Sequence, residues 1–175
     1  SIRPFVSDGS SKMIKLGYGI NQNDRNFENL QKDFLELYKE NFLNKCNLFE
    51  GVNNILNFLN KNNIKFGIVT NKPKRFAIPV IKKFKILNGA KVIICPEDIR
   101  NTKPSPEGIL LGCEKLNIQN DRVIYVGDHK KDLEAADSAN VRSVGCLYGY
   151  GLKEKDHHGC YYIDNLNDLI GYIKN

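Results

Sequence analysis

The chain has 175 residues and is 41% hydrophobic, enough to bury one core with a partial second unit beside it. Its 26 basic and 20 acidic residues leave a formal charge of +6, but the basic ones are scattered among acids, which speaks for solubility and a mild pull on anions rather than for a nucleic-acid face. No apolar run approaches the roughly 20 residues of a membrane span, the first residues lack a signal peptide's apolar stretch, and five cysteines without a Cys-x-x-Cys pair suggest neither disulfides nor zinc, so a cytoplasmic protein with free thiols is expected.

In chain order, Ser7-Asp8-Gly9 offers N-cap chemistry for a short helix through Met13 and Leu16, with Gly17 and Gly19 as stop signals. The run FENLQKDFLELYKENFLNKC sets Phe27, Leu30, Phe34, Leu37 and Tyr38 at three- and four-residue steps, the apolar stripe of an amphipathic helix that needs a partner. Residues 1–48 therefore read as a helical subdomain. Gly51 opens another helix with Val52, Ile55, Leu56 and Leu59 on one side, ended by the polar run NKNN. From there short apolar strands alternate with helices: KFGIVT and a helix from Lys74, KVIICP and one from Pro106, RVIYVGD and one from Lys130, then SVGCLY, YYI and a helix near Leu166 to Ile173. Nearly continuous Val and Ile runs in this alternation predict an α/β fold over residues 49–175, a Rossmann-like parallel sheet with helices on both faces. Cys95 and Cys146 fall inside strand runs, where a free thiol behaves as a small apolar residue.

In open parallel sheets, ligands bind beyond the carboxyl ends of the strands. Thr70 and Asn71 close one predicted strand and Gly127-Asp128 another, with Asp132 four residues on at the mouth of a helix. Two carboxylates there can bring hard oxygens to magnesium, which takes few carboxylates and keeps waters and phosphate oxygens. The alternative is that Asp132 only caps the helix beginning near Lys131. Lys103 stands between Thr102 and Pro104 in the loop NTKPSPEG, ahead of a helix whose first turn tolerates Pro106. Such an ammonium can neutralise a phosphate and hold a charged nucleophile in place. Thr70 can donate its hydroxyl to a phosphoryl oxygen, and Asn71 can do the same or orient the nucleophile. His129, beside Asp128, is a candidate to tune the site, whereas His157-His158 reads as an exposed pair rather than a metal site. Arg3, Ser7 and Lys12 are candidate contacts to a substrate carboxylate or hydroxyl. Neither a G-x-x-x-x-G-K-[ST] nor a G-x-G-x-x-G loop is present, which disfavours nucleoside triphosphates and dinucleotides.

Taken together and in this order, GIVTNKP, NTKPSPEG and VIYVGDHKKD resemble motifs two, three and four of the haloacid dehalogenase-like phosphatases. A receiver-type signalling domain would carry its acids before the Thr and Lys, and here they come last. Phe66 to about Gly151 is similar to the core of a phosphoglycolate phosphatase-type member, and the helical stretch up to Asn47 is similar to the second part of its cap. GDHKKD and CLYGYG are also similar to segments of bacterial phosphoglycolate and N-acetylmuramate 6-phosphate phosphatases. The resemblance implies a magnesium-dependent phosphomonoester hydrolase acting on a small phosphorylated metabolite through an aspartyl-phosphate that water then hydrolyses. It puts 2-phosphoglycolate first, with N-acetylmuramate 6-phosphate or another sugar phosphate as the alternative. By the same likeness Asp128 is a magnesium ligand, Asp132 supports or joins it, Lys103 bridges nucleophile and phosphate, and Thr70 with Asn71 binds phosphoryl oxygens.

The family's first motif, an Asp-x-Asp-Gly-Thr loop with the nucleophile, does not occur in these residues. Asp8-Gly9 lacks both the preceding apolar strand and the second aspartate, and reads as the start of a helix. By the resemblance, the strand bearing that motif lies in the middle of the sheet. Without it two inward strand edges lack partners, to be closed by a second copy or by strand exchange. Three expectations stand: part of a longer phosphatase, inactive by itself; a non-catalytic relative that binds a partner or a phosphorylated metabolite; or a different fold.

Overall fold

The computed structural model describes residues 3–153, 157 and 159–174, without the side chains of residues 3, 4 and 7. The chain divides into two compact units, Ser1–Asn47 and Leu48–Asn175.

In the first unit a 3-10 turn, Arg3–Asp8, leads into α1 (Ser10–Tyr18), which is followed by α2 (Phe27–Asn41). Of the run Ser7-Asp8-Gly9 it is Gly9 that takes the N-cap place of α1, at φ 88° and with no side-chain oxygen to offer. Gly17 stays inside α1, and Gly19 ends it in the left-handed region, its N–H donating to the Lys15 carbonyl at 3.0 Å. Gln31 Nε2 on α2 donates to Ser10 Oγ at 3.0 Å and Ser11 Oγ at 3.2 Å, so polar bonds join the two helices. Ile14 and Phe27 are the buried apolar residues among the described ones of this unit. The predicted stripe on α2 is therefore not a buried seam: Leu37 is 63% exposed, and Tyr38 stacks between Phe34 and Phe42 along the helix.

The second unit starts with α3 (Val52–Lys61), entered through Gly51 at φ 83°, where a Cβ would come within 3.1 Å of the Leu166 side chain. There follow β1 (Ile68–Val69), α4 (Lys74–Lys83), β2 (Ile93–Ile94), α5 (Glu107–Leu116), β3 (Ile124–Gly127), α6 (Lys130–Ser138), β4 (Arg142–Cys146), β5 (Tyr161–Ile163) and α7 (Asp168–Lys174). All the pairings are parallel, as the Val- and Ile-rich runs predict, but they form two ladders: β1 with β2, and β3-β4-β5 in that order. Hydrogen bonds carry the first ladder past its assigned ends, from Lys91 N to Phe66 O at 2.8 Å and from Thr70 N to Ile94 O at 2.9 Å.

Two apolar layers sandwich these ladders. Ile55, Leu56 and Leu59 of α3 pack with Leu166, Leu169, Val144 and Ile163 on one face, and Ile109 and Cys113 of α5 pack with Ala135, Ala136 and Ala139 on the other. Along β3 the side chains alternate between them, with Ile124 and Val126 on the α3 face and Tyr125 on the α5 face. Side chains as buried as Ile94, Leu133, Val144 and Ile163 each contribute about 2 kcal/mol from removal of apolar surface from water. Between β1 and β3 the layers enclose a cavity of about 890 Å³, lined by Phe66 to Val69 on one edge and Val123 to Val126 on the other. No helix among the described residues is long and apolar enough to cross a membrane.

Candidate functional site

Both ladders deliver their carboxyl ends to one lysine. After β1, Thr70 N is held by the Ile94 carbonyl while Thr70 Oγ1 accepts from Lys72 N at 3.0 Å, turning the chain toward α4. Asn71 then clamps the main chain of Lys103: its Oδ1 accepts from Lys103 N at 3.1 Å and its Nδ2 donates to Lys103 O at 2.9 Å. The Lys103–Pro104 peptide is cis. From this fixed backbone the ammonium donates to Asp132 Oδ1 at 2.8 Å, Tyr125 OH at 2.8 Å and Val69 O at 3.0 Å, a partner for each of its three protons. The side chain is 11% exposed. Burial is the strongest influence on Lys103 and works to lower its pKa, but Tyr125 and Asp132 outweigh it and hold the ammonium above its ordinary value. The site therefore keeps a positive charge at neutral pH. Burial likewise pushes the Tyr125 hydroxyl up, so it remains a neutral phenol.

The carboxylate half is built on the start of α6. Asp132 Oδ2 accepts from Asp128 N at 3.2 Å and His129 N at 3.1 Å, and His129 Nδ1 accepts from Lys131 N at 3.2 Å. This is a capping box in which His129 takes the N-cap place. The two sequence expectations for Asp132 thus fall on two oxygens of one carboxylate, Oδ2 capping the helix and Oδ1 holding Lys103. Asp128 Oδ2 accepts from Tyr150 N at 2.7 Å, while Gly151 N and Leu152 N donate to its carbonyl at 3.1 and 2.8 Å. Glycines make this closeness possible. A Cβ on Gly127 would lie 2.3 Å from Asp132 Cβ, and one on Gly149 would lie 2.2 Å from Asp128 Cβ.

Asp128, Asp132, Lys103 and Asn71 are joined through these contacts, and Thr70 stands at the end of β1 next to Asn71. Tyr125 and the loop of Tyr148 to Gly151 were not singled out by their chemistry in the sequence. The signal for Tyr125 was a phenol inside an apolar strand, which needs a partner when buried. At the edge of the same loop Phe49 meets Tyr148 and Tyr150 edge-on, at ring distances of 5.3 and 5.7 Å. Of the other candidates, His157 pairs with Asp137 at 2.5 Å and donates its N–H to Tyr162 OH, which fastens the loop ahead of β5. Lys12 sits over the Phe5 ring at 5.3 Å and lines a concavity on the first unit with Ser11, Lys15 and Asp24. The side chains of Arg3 and Ser7, and His158, lie outside the described residues. Among the described residues no three His, Cys, Asp or Glu side chains converge as a ready-made metal cage.

A family model described as haloacid dehalogenase-like hydrolase matches residues 5–146, most of the chain. The chain belongs to the haloacid dehalogenase-like hydrolase family. Among its relatives, an N-acetylmuramic acid 6-phosphate phosphatase of Pseudomonas aeruginosa is 32% identical over 175 residues, covering 98% of this chain and 77% of that protein. A phosphoglycolate phosphatase of Salmonella choleraesuis is 35% identical over 147 residues, covering 81% of this chain and 57% of the relative. A haloacid dehalogenase-superfamily hydrolase from Geobacter sulfurreducens, 18% identical, shares the fold with a TM-score of 0.77 over 98% of this chain and 76% of its own. Both of the curated relatives, from Pseudomonas and Salmonella, are named as phosphatases.

Proposed function

We propose that the strand-end cluster binds the phosphoryl group of a small phosphomonoester, together with magnesium, for hydrolysis. The observation that carries this reading is the buried Lys103 ammonium, held between Asp132, Tyr125 and Val69 at the meeting point of both ladders. A fixed cation in a site of low dielectric stabilises charge that develops on a transferring phosphoryl group. In this reading Thr70 and Asn71 supply hydrogen bonds to phosphoryl oxygens. Asp128 is the magnesium ligand, and Asp132 supports it through the backbone of Asp128 and His129. The donor set fits magnesium, because the pair offers hard carboxylate oxygens and leaves the remaining positions to water and phosphate. When bound, the metal would neutralise phosphate charge and polarise the bond to the leaving group. Five free cysteines support a cytoplasmic setting.

Two substrates compete within this reading. The motif likeness puts 2-phosphoglycolate first. The match to the N-acetylmuramic acid 6-phosphate phosphatase spans more of the chain and favours a sugar phosphate. Calorimetric titration with inorganic phosphate, with and without magnesium, tests the shared part. We expect magnesium to tighten phosphate binding at least tenfold, Asp128→Asn to remove that increment, and Lys103→Met to weaken phosphate binding in both conditions. Equal affinity with and without magnesium would remove Asp128 from its role. Titrating 2-phosphoglycolate against N-acetylmuramic acid 6-phosphate then ranks the substrates.

A further inference from the structure

Lys103 is buried, yet the loop that carries it is not. Arg100, Asn101, Thr102 and Pro104 are exposed on either side of a lysine whose side chain is 11% exposed. Apolar burial therefore cannot set where this segment stands, and polar bonds have to. Asn71 holds the main chain at Lys103 itself. The other hold comes from Glu107, the first residue of α5, which reaches back across the loop. Its Oε1 accepts from Arg100 N at 2.8 Å and its Oε2 from Asn101 N at 2.8 Å, with Asn101 Nδ2 at 3.3 Å as a third donor. The Arg100 and Asn101 N–H groups hold the Glu107 carboxyl below its ordinary range, so it stays a charged acceptor at neutral pH. Inside the neck that Glu107 closes, Ser105 N donates to Thr102 O at 3.0 Å and Ser105 Oγ accepts from Glu107 N at 3.3 Å.

The base of this arrangement is firm. Gly108, next to Glu107, lies so close to β1 that a Cβ there would come within 2.9 Å of Val69 Cγ1, and Val69 O is one of the three acceptors of the Lys103 ammonium. The start of α5 and the carbonyl that the lysine must reach are thus set against each other, and Glu107 carries that setting into the loop. A carboxylate in the first turn also favours a helix by facing its positive end, and that would be its whole role if it were left to solvent. Here both oxygens are taken by loop N–H groups.

We propose that Glu107 is a positioning residue for Lys103, fixing the loop between β2 and α5 so that the ammonium meets Asp132, Tyr125 and Val69 in one geometry. Asn71 fixes the tip of the loop and Glu107 its neck. Without the carboxylate, the Arg100 and Asn101 N–H groups turn to water at little cost, since both residues are exposed, and the fold survives. What is lost is the definition of the loop, and with it that of the cation. The consequence for phosphate rests on the phosphatase reading, whereas the consequence for the loop stands without it.

Amide hydrogen exchange followed by NMR on the whole chain, with calorimetric titration of inorganic phosphate in the presence of magnesium, tests this. In Glu107→Ala the Lys103 amide, which donates to Asn71 Oδ1, is expected to exchange about tenfold faster through local opening, while the Val126 and Val144 amides of the β3–β4 ladder keep their rates. Glu107→Gln, which keeps one acceptor oxygen, should fall between. Phosphate affinity should drop about fivefold in Glu107→Ala, the scale of one weakened hydrogen bond, and no further when the same change is made in Lys103→Met. An unchanged Lys103 amide would overturn the proposal. So would faster exchange throughout β3 and β4, since Glu107 would then serve the fold as a whole. A phosphate loss that persists in the Lys103→Met background counts against it equally, because Glu107 would then reach the ligand by another route. If the alanine variant does not fold, the glutamine one gives the same exchange readout. A wild-type chain that takes up no phosphate discards the phosphoryl reading of the site and leaves the Lys103 amide to decide the role of Glu107.

Discussion

Two registered residue pairs join β1 to β2, whereas four join β3 to β4 and three join β4 to β5. The site is divided along the same line. The short ladder contributes Thr70 and Asn71 and, through Asn71, positions the cation. The longer one contributes Asp128 and Asp132, set by a helix cap and by glycines pressed against them. The difference teaches that the acids are positioned by local backbone packing, while the lysine is positioned by bonds to residues of both ladders. Its place therefore depends on both ladders at once.

The sharpest way to break this division is Lys103→Ala, which leaves Asp132 buried without its cation. Loss of one partner from a buried pair costs about 3–5 kcal/mol, read by urea unfolding. A loss under about 1 kcal/mol, the range of exposed pairs, would mean that Asp132 does not rely on Lys103. Gly127→Ala attacks the other half: its Cβ has no room beside Asp132, and overpacking of this kind costs about 3 kcal/mol. Unchanged stability in that variant would show that the acid side yields more easily than the close contacts imply.

Alkaline unfolding separates the halves by pH. Burial pushes the Cys146 thiol on β4 up to about 11 from 9.0. The folded chain thus keeps a proton that the unfolded chain gives up, and stability present below pH 9 is lost as pH rises toward 11. The amount is roughly 3 kcal/mol for a shift of this size. Lys103, also held above its ordinary 10.5, supports stability below that pH and loses its contribution only as pH rises through its folded value. Cys146→Ala should make the fall between pH 9 and 11 shallower, the remainder coming from Cys95 and Cys113, whose thiols burial also raises, and from Tyr125, and leave the fall above it. The smallest expected effect is Tyr125→Phe. It takes a phenol from Val69 O and Lys103 without emptying the space, for about 1 kcal/mol, and an unchanged midpoint would show that the lysine alone satisfies that carbonyl.

Much of this could be read from residue types. The strands were legible because Val and Ile runs alternate with helical periodicity, and Thr70, Asn71, Lys103, Asp128 and Asp132 because polar residues at the ends of apolar strands need a reason to be there. Tyr125 was not, since its partners lie 22 residues upstream at Lys103 and 56 at Val69, and no local pattern reports such distances. The stripe on α2, buried at Phe27 but open at Leu37, misled for a different cause. Periodicity records which residues share a face, not whether anything covers it. The N-cap of α1 fell within the run Ser7-Asp8-Gly9, on its glycine, which gives the helix a turn but no side-chain oxygen.

The glycines beside the acid pair bear on how this sequence can change. Gly127 and Gly149 touch no substrate in any reading of the site, yet each faces an aspartate at a distance that leaves no space for a methyl group. In a saturation library these two positions should tolerate as few substitutions as Asp128 and Asp132 themselves, by measured folding as well as by activity. Sequence drift around this site is then governed as much by where a side chain cannot exist as by where a charge must.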